Sequence, residues 1–178
     1  MKLKIACFIF LLGCSVSVFS QEKNNLMVYV VDDIPLKNAP NSDDPIDNNE
    51  IDYVYVIKNK DSLLKKGIKD FDGALFFYTK AYKNRSSDLK KMPSLKQMDQ
   101  KENGVWYLKG QPYSGKYLDY YLTGKLKSEG TLKEGFLDGN SKLYYSNGQL
   151  HIDQQYSQSV LNGLFLEYYD TKKKKNKG

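Results

Sequence analysis

The alternation of apolar and polar positions is strongest in the last third of the chain. Within residues 125–132, lysine, glutamate and threonine alternate with leucine, serine and glycine, a period of two that is typical of a β-strand with one dry and one wet face. Thr123-Gly124 and Asn147-Gly148 separate such runs, and Asn-Gly is a strong signal for a short hairpin turn. The pattern predicts consecutive antiparallel β-hairpins.

This hairpin pattern recurs every 24 residues, and a fixed period in this range is the signature of a repeat architecture. Three sets of residues keep the spacing: the glycines Gly115, Gly139 and Gly163; the turn glycines Gly124 and Gly148; and the tyrosine pairs Tyr120-Tyr121, Tyr144-Tyr145 and Tyr168-Tyr169. We therefore assign residues 104–170 to β-hairpin repeats.

The first half of the chain has a different pattern. Residues 26–31, 51–58 and 74–79 are rich in β-branched and aromatic side chains and predict three strands. Between the last two strands, Asp61 can cap a short helix that Gly67 ends in a left-handed conformation. Strands with an intervening helix predict a small α+β module over residues 21–80, and the whole chain is expected to be β-rich α+β.

The segments between these parts are polar. Asp32-Asp33-Ile34-Pro35 has turn chemistry, and residues 36–50 are expected to be an exposed, acidic loop. Residues 81–103 are lysine-rich and are interpreted as a linker, although Ser94 and Gln97 have the spacing of a helix capping box.

The N-terminus has the character of a secretory signal peptide. Two lysines precede an apolar run from residue 5 to 19, which is too short for a membrane span of about 20 residues, and Val18 and Ser20 suit a signal peptidase. We expect residues 1–20 to be removed and the protein to be exported, to the periplasm or outer membrane of a Gram-negative bacterium. An alternative is lipidation of Cys14, because Leu11-Leu12-Gly13-Cys14 loosely resembles a lipobox.

The charge and the cysteine content exclude several classes of function. Both cysteines lie in the signal segment, so the mature chain has no thiol for catalysis or metal binding. Of the formal charge of +6, Lys2, Lys4 and the five lysines of residues 172–177 contribute +7, which leaves the remainder near −1. No nucleic-acid partner is expected, residues 171–178 are interpreted as a disordered tail, and membrane contact is expected only through Cys14 or that tail.

The residues give little support to catalysis. His151 and Asp153 alternate onto one face of a repeat strand, but no activated nucleophile accompanies them, and a surface polar pair is the simpler interpretation. The acids of residues 43–52 do not follow a calcium-loop pattern. There is no phosphate-binding loop either. We expect no enzyme activity, no metal and no cofactor.

The tyrosine columns are the best candidates for binding. Neighbouring residues of a strand point to opposite faces, so one tyrosine of each pair is expected in packing and the other on a second face. Tyr121, Tyr145 and Tyr169, with Trp106 nearby, predict an exposed aromatic surface of the kind enriched in interfaces.

The repeat half resembles the variant MORN repeat, whose unit is close to G-x-x-x-x-Y-Y-x-x-G-x-L-x-x-x-G. The matching residues of the first unit are Gly115, Tyr120, Tyr121, Gly124, Leu126 and Gly130. The resemblance implies a stack of hairpins, and some long arrays of this variant are described as antitoxin-like.

The N-terminal half is similar to the plug domain of TonB-dependent outer-membrane receptors. Residues 28–35, 51–58 and 73–80 follow its strand ends and its I-x-x-I-x-V-x-K and G-x-I-x-I-x-T-K segments, with Asp33 in place of the usual glycine. The likeness implies a plug-like module in a cell-envelope protein, without the receptor's barrel.

Together these observations predict a non-catalytic protein-binding or scaffold protein of the bacterial cell envelope. Its partner is expected to be another envelope protein, or a second copy that joins through an open edge of the repeat sheet. A membrane-associated lipoprotein and an immunity or antitoxin-like protein are the alternatives.

Overall fold

The computed structural model describes residues 26–170, so the predicted signal peptide, Cys14 and the lysine tail lie outside the described residues. Within this range the chain forms one four-stranded, one six-stranded and one three-stranded sheet with short helices. The β-rich α+β class predicted from the sequence is confirmed.

The N-terminal half builds the four-stranded sheet. Its elements are β1 (Met27–Val31), β2 (Ile34–Pro35), β3 (Ile51–Ile57), α1 (Lys60–Lys65) and β4 (Gly73–Thr79). The strand order is β2-β1-β4-β3, with β1 parallel to β4 and the other pairs antiparallel. Strand β3 therefore lies at one edge of the sheet.

Local sequence explains how these elements begin and end. Asp32 and Asp33 have φ angles of 51° and 66°, so the predicted turn is a tight hairpin of the kind that needs two left-handed residues. Helix α1 ends at Lys65, and Gly67, two residues later, has the predicted left-handed conformation with φ 74°. The expected cap is wrong by two residues: the side chain of Asn59, not Asp61, accepts the Ser62 N–H at 2.9 Å.

One face of this sheet packs against α1 and the segment that follows it. The buried side chains are Val28, Val30, Leu63, Ile68, Ala74 and Phe76, with Tyr55, Ile57, Phe71 and Tyr78 packed around them. Because side chains alternate along a strand, the opposite face carries Tyr29, Val54, Val56, Leu75 and Phe77.

Residues 81–103, interpreted as a linker, hold several short elements. These are α2 (Lys80–Asn84), α3 (Ser87–Lys91), a 3₁₀ turn at Leu95–Gln97 and β5 (Asp99–Gln100). The capping box of Ser94 and Gln97 is present. Ser94 and Met98 are each 1% exposed, so this segment is packed into the structure. The sequence predicted the capping box correctly but did not predict that this segment is buried.

The repeats form the larger sheet. Its strands are β8 (Gly115–Tyr120), β9 (Leu126–Lys133), β10 (Phe136–Leu137), β11 (Gly139–Tyr144), β12 (Leu150–Ser157) and β13 (Val160–Glu167). Strand β8 pairs with β9, β9 with both β10 and β11, β11 with β12, and β12 with β13, all antiparallel. The predicted hairpins are therefore present.

A partial repeat precedes the first predicted unit. Strand β6 (Trp106–Leu108) pairs with both β5 and β7 (Gln111–Pro112) in a small sheet, and β6 and β7 form the same hairpin as β9 and β10 about one period later. Left-handed residues occupy the turn in each case: Lys109 and Gly110, Glu134 and Gly135, and Gln158 and Ser159. Met98, Tyr117 and Leu132 form the core of this region.

The two halves meet at a buried arginine. Arg85 is the only arginine of the chain, and its side chain is 7% exposed. Its guanidinium lies 3.7 Å from the Asp32 carboxylate and 3.6 Å from the centre of the Tyr120 ring, and it donates to the Gly124 carbonyl at 3.2 Å. One side chain thus links the β1–β2 turn, α2 and the first repeat.

Hydrogen bonds surround this ion pair. The backbone N–H and the hydroxyl of Thr79 each donate to Asp32 at 2.8 Å. Burial nevertheless raises the pKa of Asp32 above its model-compound value, and the Thr79 hydrogen bonds and Arg85 only partly offset it.

The first repeat turn contacts the N-terminal half at Gly124. A Cβ atom there would meet the hydroxyl of Thr79 and would lie 2.9 Å from the Ala81 Cβ, whereas one at Gly148, a period later, would meet nothing. The loop at 36–50 also contacts this turn, because Asp44 accepts the Leu122 N–H at 2.7 Å. This loop was expected to be wholly exposed and is instead docked at Asp44.

Gly124→Ala is expected to destabilise the fold more than its matched control Gly148→Ala. The two glycines have φ angles of 82° and 85°, so the backbone strain is the same, and only Gly124→Ala adds an overpacking cost of about 1–3 kcal/mol. Urea unfolding of both variants measures the difference. Equal losses would contradict the docked turn.

Arg85→Met is expected to lower the unfolding free energy by about 3–5 kcal/mol at neutral pH, because Asp32 is left buried without a cation. A carboxyl whose pKa is raised by folding contributes stability below its unfolded pKa and loses it as the pH rises. The loss in Arg85→Met should therefore be smaller near pH 4 than at pH 7.

Adding Asp32→Asn to Arg85→Met removes the buried charge and should recover part of the stability at pH 7. Urea midpoints of the single and double variants at both pH values test this pair. A double variant as unstable at pH 7 as Arg85→Met would contradict the charge argument.

Candidate protein-binding surface

The tyrosines predicted to bind a partner take part in the repeat sheet. The Tyr121 hydroxyl donates to the Tyr144 carbonyl at 2.7 Å, and the Tyr145 hydroxyl donates to the Tyr168 carbonyl at 2.8 Å. Each therefore joins its unit to the next one. A β-bulge just before Tyr120 and Tyr144 interrupts the strict alternation of side chains there.

The other two predicted residues lie apart from each other. Trp106 is half-buried and packs against the core of Met98, Tyr117 and Leu132. Tyr169 is 48% exposed near the end of the described chain. The structure thus does not bring the four aromatic side chains together into one surface.

The turn glycines serve the backbone of the repeats. Gly115, Gly139 and Gly163 have φ angles of 147°, 94° and 121°, and the Gly124 and Gly148 N–H groups each donate to the carbonyl three residues earlier at 2.8 Å. These positions explain the 24-residue spacing, and none presents a ligand-binding group.

The polar residues considered for catalysis or metal binding also have partners within the chain or lack a metal-binding arrangement. His151 stacks on Tyr145 at 4.1 Å between ring centres and lies 3.5 Å from the Glu167 carboxylate, so the acid paired with it is Glu167 and not Asp153. Within residues 26–170, no group of three histidines, cysteines or acids is placed to hold a metal ion.

The clearest exposed apolar feature lies on the N-terminal sheet. Strand β3 reads Ile-Asp-Tyr-Val-Tyr-Val-Ile, with a high β-propensity and one charge. In the described part of the chain it pairs with β4 alone. Tyr53, Val54 and Val56 are each close to half exposed. An edge strand of this composition is a template for pairing with another chain.

The outer face of the sheet extends this feature. Phe77 lies opposite Val54 and Leu75 lies opposite Val56 on the neighbouring strand β4, and Tyr29 of β1 stacks on Phe77. Apolar groups therefore continue from the edge across three strands. We call the β3 surface the exposed edge residue Tyr53, which lies on the core face, together with the outer-face residues Val54, Val56, Leu75 and Phe77.

Stacked aromatic rings support β3 from the core face. Tyr53 stacks on Tyr78 at 4.7 Å, and Tyr55 stacks on Phe76 at 4.6 Å. Tyr78 and Tyr82 both donate their hydroxyls to Asp33. Burial, and next these hydrogen bonds, raise the pKa of both phenols, which therefore stay neutral at physiological pH.

The single charge of β3 is already compensated. Asp52 accepts a hydrogen bond from Lys83 of α2 at 2.9 Å. The edge also has one β-bulge, between Ile51 and Tyr53. It has no lysine or proline, which are the residues that protect natural edge strands.

The end of the repeat sheet offers weaker support for binding. Val160, Leu161 and Leu164 are exposed on β13, but Phe165, Glu167 and Tyr169 have interactions of their own. The open repeat edge inferred from the sequence therefore stays a prediction.

Sequence reasoning identified β3 as a strand and did not identify it as a site. Residues 51–57 have the high β-propensity and low charge that mark segments prone to pair with other chains, and this signal was available. What was missing was the strand order, because the sequence does not show that β3 lies at an edge.

The chain matches no protein-family model, and no curated protein or solved structure is significantly similar to it. The resemblances to MORN repeats and to plug domains stay predictions. No helix in residues 26–170 is long and apolar enough to cross a membrane.

Tyr121→Phe and Tyr145→Phe are each expected to lower the unfolding free energy by about 0.5–1.5 kcal/mol, because each removes a hydrogen bond to the next repeat. The double variant should lose the sum, since the two hydroxyls bond different units. Urea unfolding measures both, with Tyr53→Phe at an exposed ring as the control. Losses no larger than the control would show that these hydroxyls do not stabilise the repeats.

Proposed function

We propose that this chain is a non-catalytic protein-binding protein that engages its partner through the β3 surface. The observation that carries the proposal is the seven-residue edge strand Ile51–Ile57, which exposes apolar side chains and has one charge that is already paired. A partner strand would add to this edge through backbone hydrogen bonds, and side chains of the partner would cover Val54 and Val56.

Exposed apolar area supports this choice. Val54 and Val56 are 47% and 49% exposed and continue into the half-buried Leu75 and Phe77. A continuous apolar patch costs free energy in water and is a common mark of an interaction site. The rest of the N-terminal sheet is supported by α1 and by the repeat half, so the surface is held on a rigid base.

The expected location is consistent with a binding role. A signal peptide at residues 1–20, and the likeness to plug domains and MORN repeats, favour an exported protein of the cell envelope. The repeats would then act as a scaffold that holds the N-terminal sheet in place.

Val54→Lys and Val56→Lys are expected to abolish partner binding, because each places a charge in the apolar contact. The control is Val160→Lys, at a valine that is 67% exposed on β13. The exported protein and the three variants are compared by pull-down from the envelope fraction of the source cells, followed by amide hydrogen exchange of β3 with the captured partner added.

Loss of capture in both β3 variants, retention in Val160→Lys and protection of β3 amides support the proposal. Equal capture by all variants would contradict it.

A further inference from the structure

The sequence of β3 is nearly the same in both directions. Outward from Val54, tyrosines stand at 53 and 55 and isoleucines at 51 and 57, and only Asp52 and Val56 differ. In an antiparallel pair of identical strands about a two-fold axis, residue i of one copy faces residue j of the other and the reverse also holds, so this near-palindrome places like residues opposite one another.

We propose that the strand that occupies the β3 edge is β3 of a second copy, antiparallel, with the two-fold axis at Val54. This inference rests on the proposed function and names the partner at the same surface. The two sheets would then continue into one sheet of eight strands, because each copy contributes four.

The register follows from placing Val54 on the axis. Tyr53 of one copy then faces Tyr55 of the other, and Val54 faces Val54. A strand of seven residues has a length of about 24 Å at roughly 3.4 Å per residue, so the paired segment is as long as an ordinary strand pair. The bulge between Ile51 and Tyr53 falls toward the ends of the pair and leaves its centre regular.

The core face of the pair is aromatic. Within one copy, the rings of Tyr53, Tyr55, Phe76 and Tyr78 are stacked with interplanar angles between 4° and 13°. The Tyr53–Tyr55 contacts across the axis would continue this stack into the second copy. Aromatic pairs on neighbouring strands stabilise a sheet.

The outer face avoids like charges. The one charged residue of the strand, Asp52, would face Val56 of the second copy and not another acid, and it keeps its bond to Lys83. Val54 would be covered by Val54 of the second copy, and Val56 would lie diagonal to that same valine. No two like charges therefore meet in the pair.

The other edge of the sheet cannot take this role. Strand β2 has two residues and ends in Pro35, which has no N–H to donate. Pairing at β3 alone gives a closed dimer, whereas two usable edges would give an open chain of copies. A single strand pair is a small interface, so we expect dissociation on dilution, with a Kd on the order of micromolar.

The test is the oligomeric state of the purified exported protein, measured by analytical ultracentrifugation across a dilution series. The wild type and V160K should be dimers at on the order of 100 μM, roughly a hundredfold above the expected Kd. V54K and V54E should each be monomers, because like charges meet at the axis. An equimolar mixture of V54K and V54E should recover the dimer, since opposite charges then meet there.

Recovery in the mixture also shows that neither variant is merely misfolded. A monomeric wild type, dimers of V54K as stable as the wild type, or no recovery in the mixture would overturn the inference. A monomer whose β3 amides are already protected from hydrogen exchange would indicate that the edge is covered within the same chain, which also overturns it.

The two proposals can fail separately. If the wild type is monomeric but V54K loses an envelope protein that V160K retains, the proposal of a second copy is wrong and the proposed binding function of the β3 surface stands. If the wild type is monomeric and V54K retains every captured protein, both are wrong.

Discussion

The buried contact of Arg85 with Asp32 and Tyr120 is the interaction on which the arrangement of the two halves depends. An arginine that is 7% exposed has lost most of its water, and only a carboxylate, an aromatic face and a carbonyl together offset that cost. These groups come from β1–β2, from the first repeat strand and from its turn. The contact therefore holds only when both halves are folded and docked.

The docked first repeat gives the rest of the array a fixed start. Gly124 lies against Thr79 and Ala81, while Gly148, its equivalent one period later, has open space. Beyond that point each unit depends on its neighbour, through the Tyr121 and Tyr145 hydroxyls that donate to the next unit. Stability in such an array is largely a sum of nearest-neighbour contacts, so the N-terminal half acts as its cap.

The same packing explains why the β3 surface stands out. The repeat half uses its aromatic side chains internally, for strand joining and for the core around Met98. The four-stranded sheet covers one face with α1 and leaves its other face and the β3 edge with exposed valines. On the core face, the neutral Tyr78 and Tyr82, which donate to Asp33, support strand β3. A stiff apolar edge loses little conformational entropy when another strand pairs with it.

The sequence by itself determined the local features of this protein. The period of two, the Asn-Gly and Asp-Asp turns, the cap at Ser94 and the 24-residue spacing each depend on neighbours along the chain, and these predictions agree with the structure. Tertiary structure decided what distant residues share: the docking of Arg85 and Asp44, the burial of Met98 and the position of β3 at an edge. The tyrosine columns show why. The 24-residue spacing shows that tyrosines recur at equivalent positions. Whether a tyrosine hydroxyl meets a partner protein or the carbonyl of the next unit depends on strand pairing across the sheet, which local patterns do not encode.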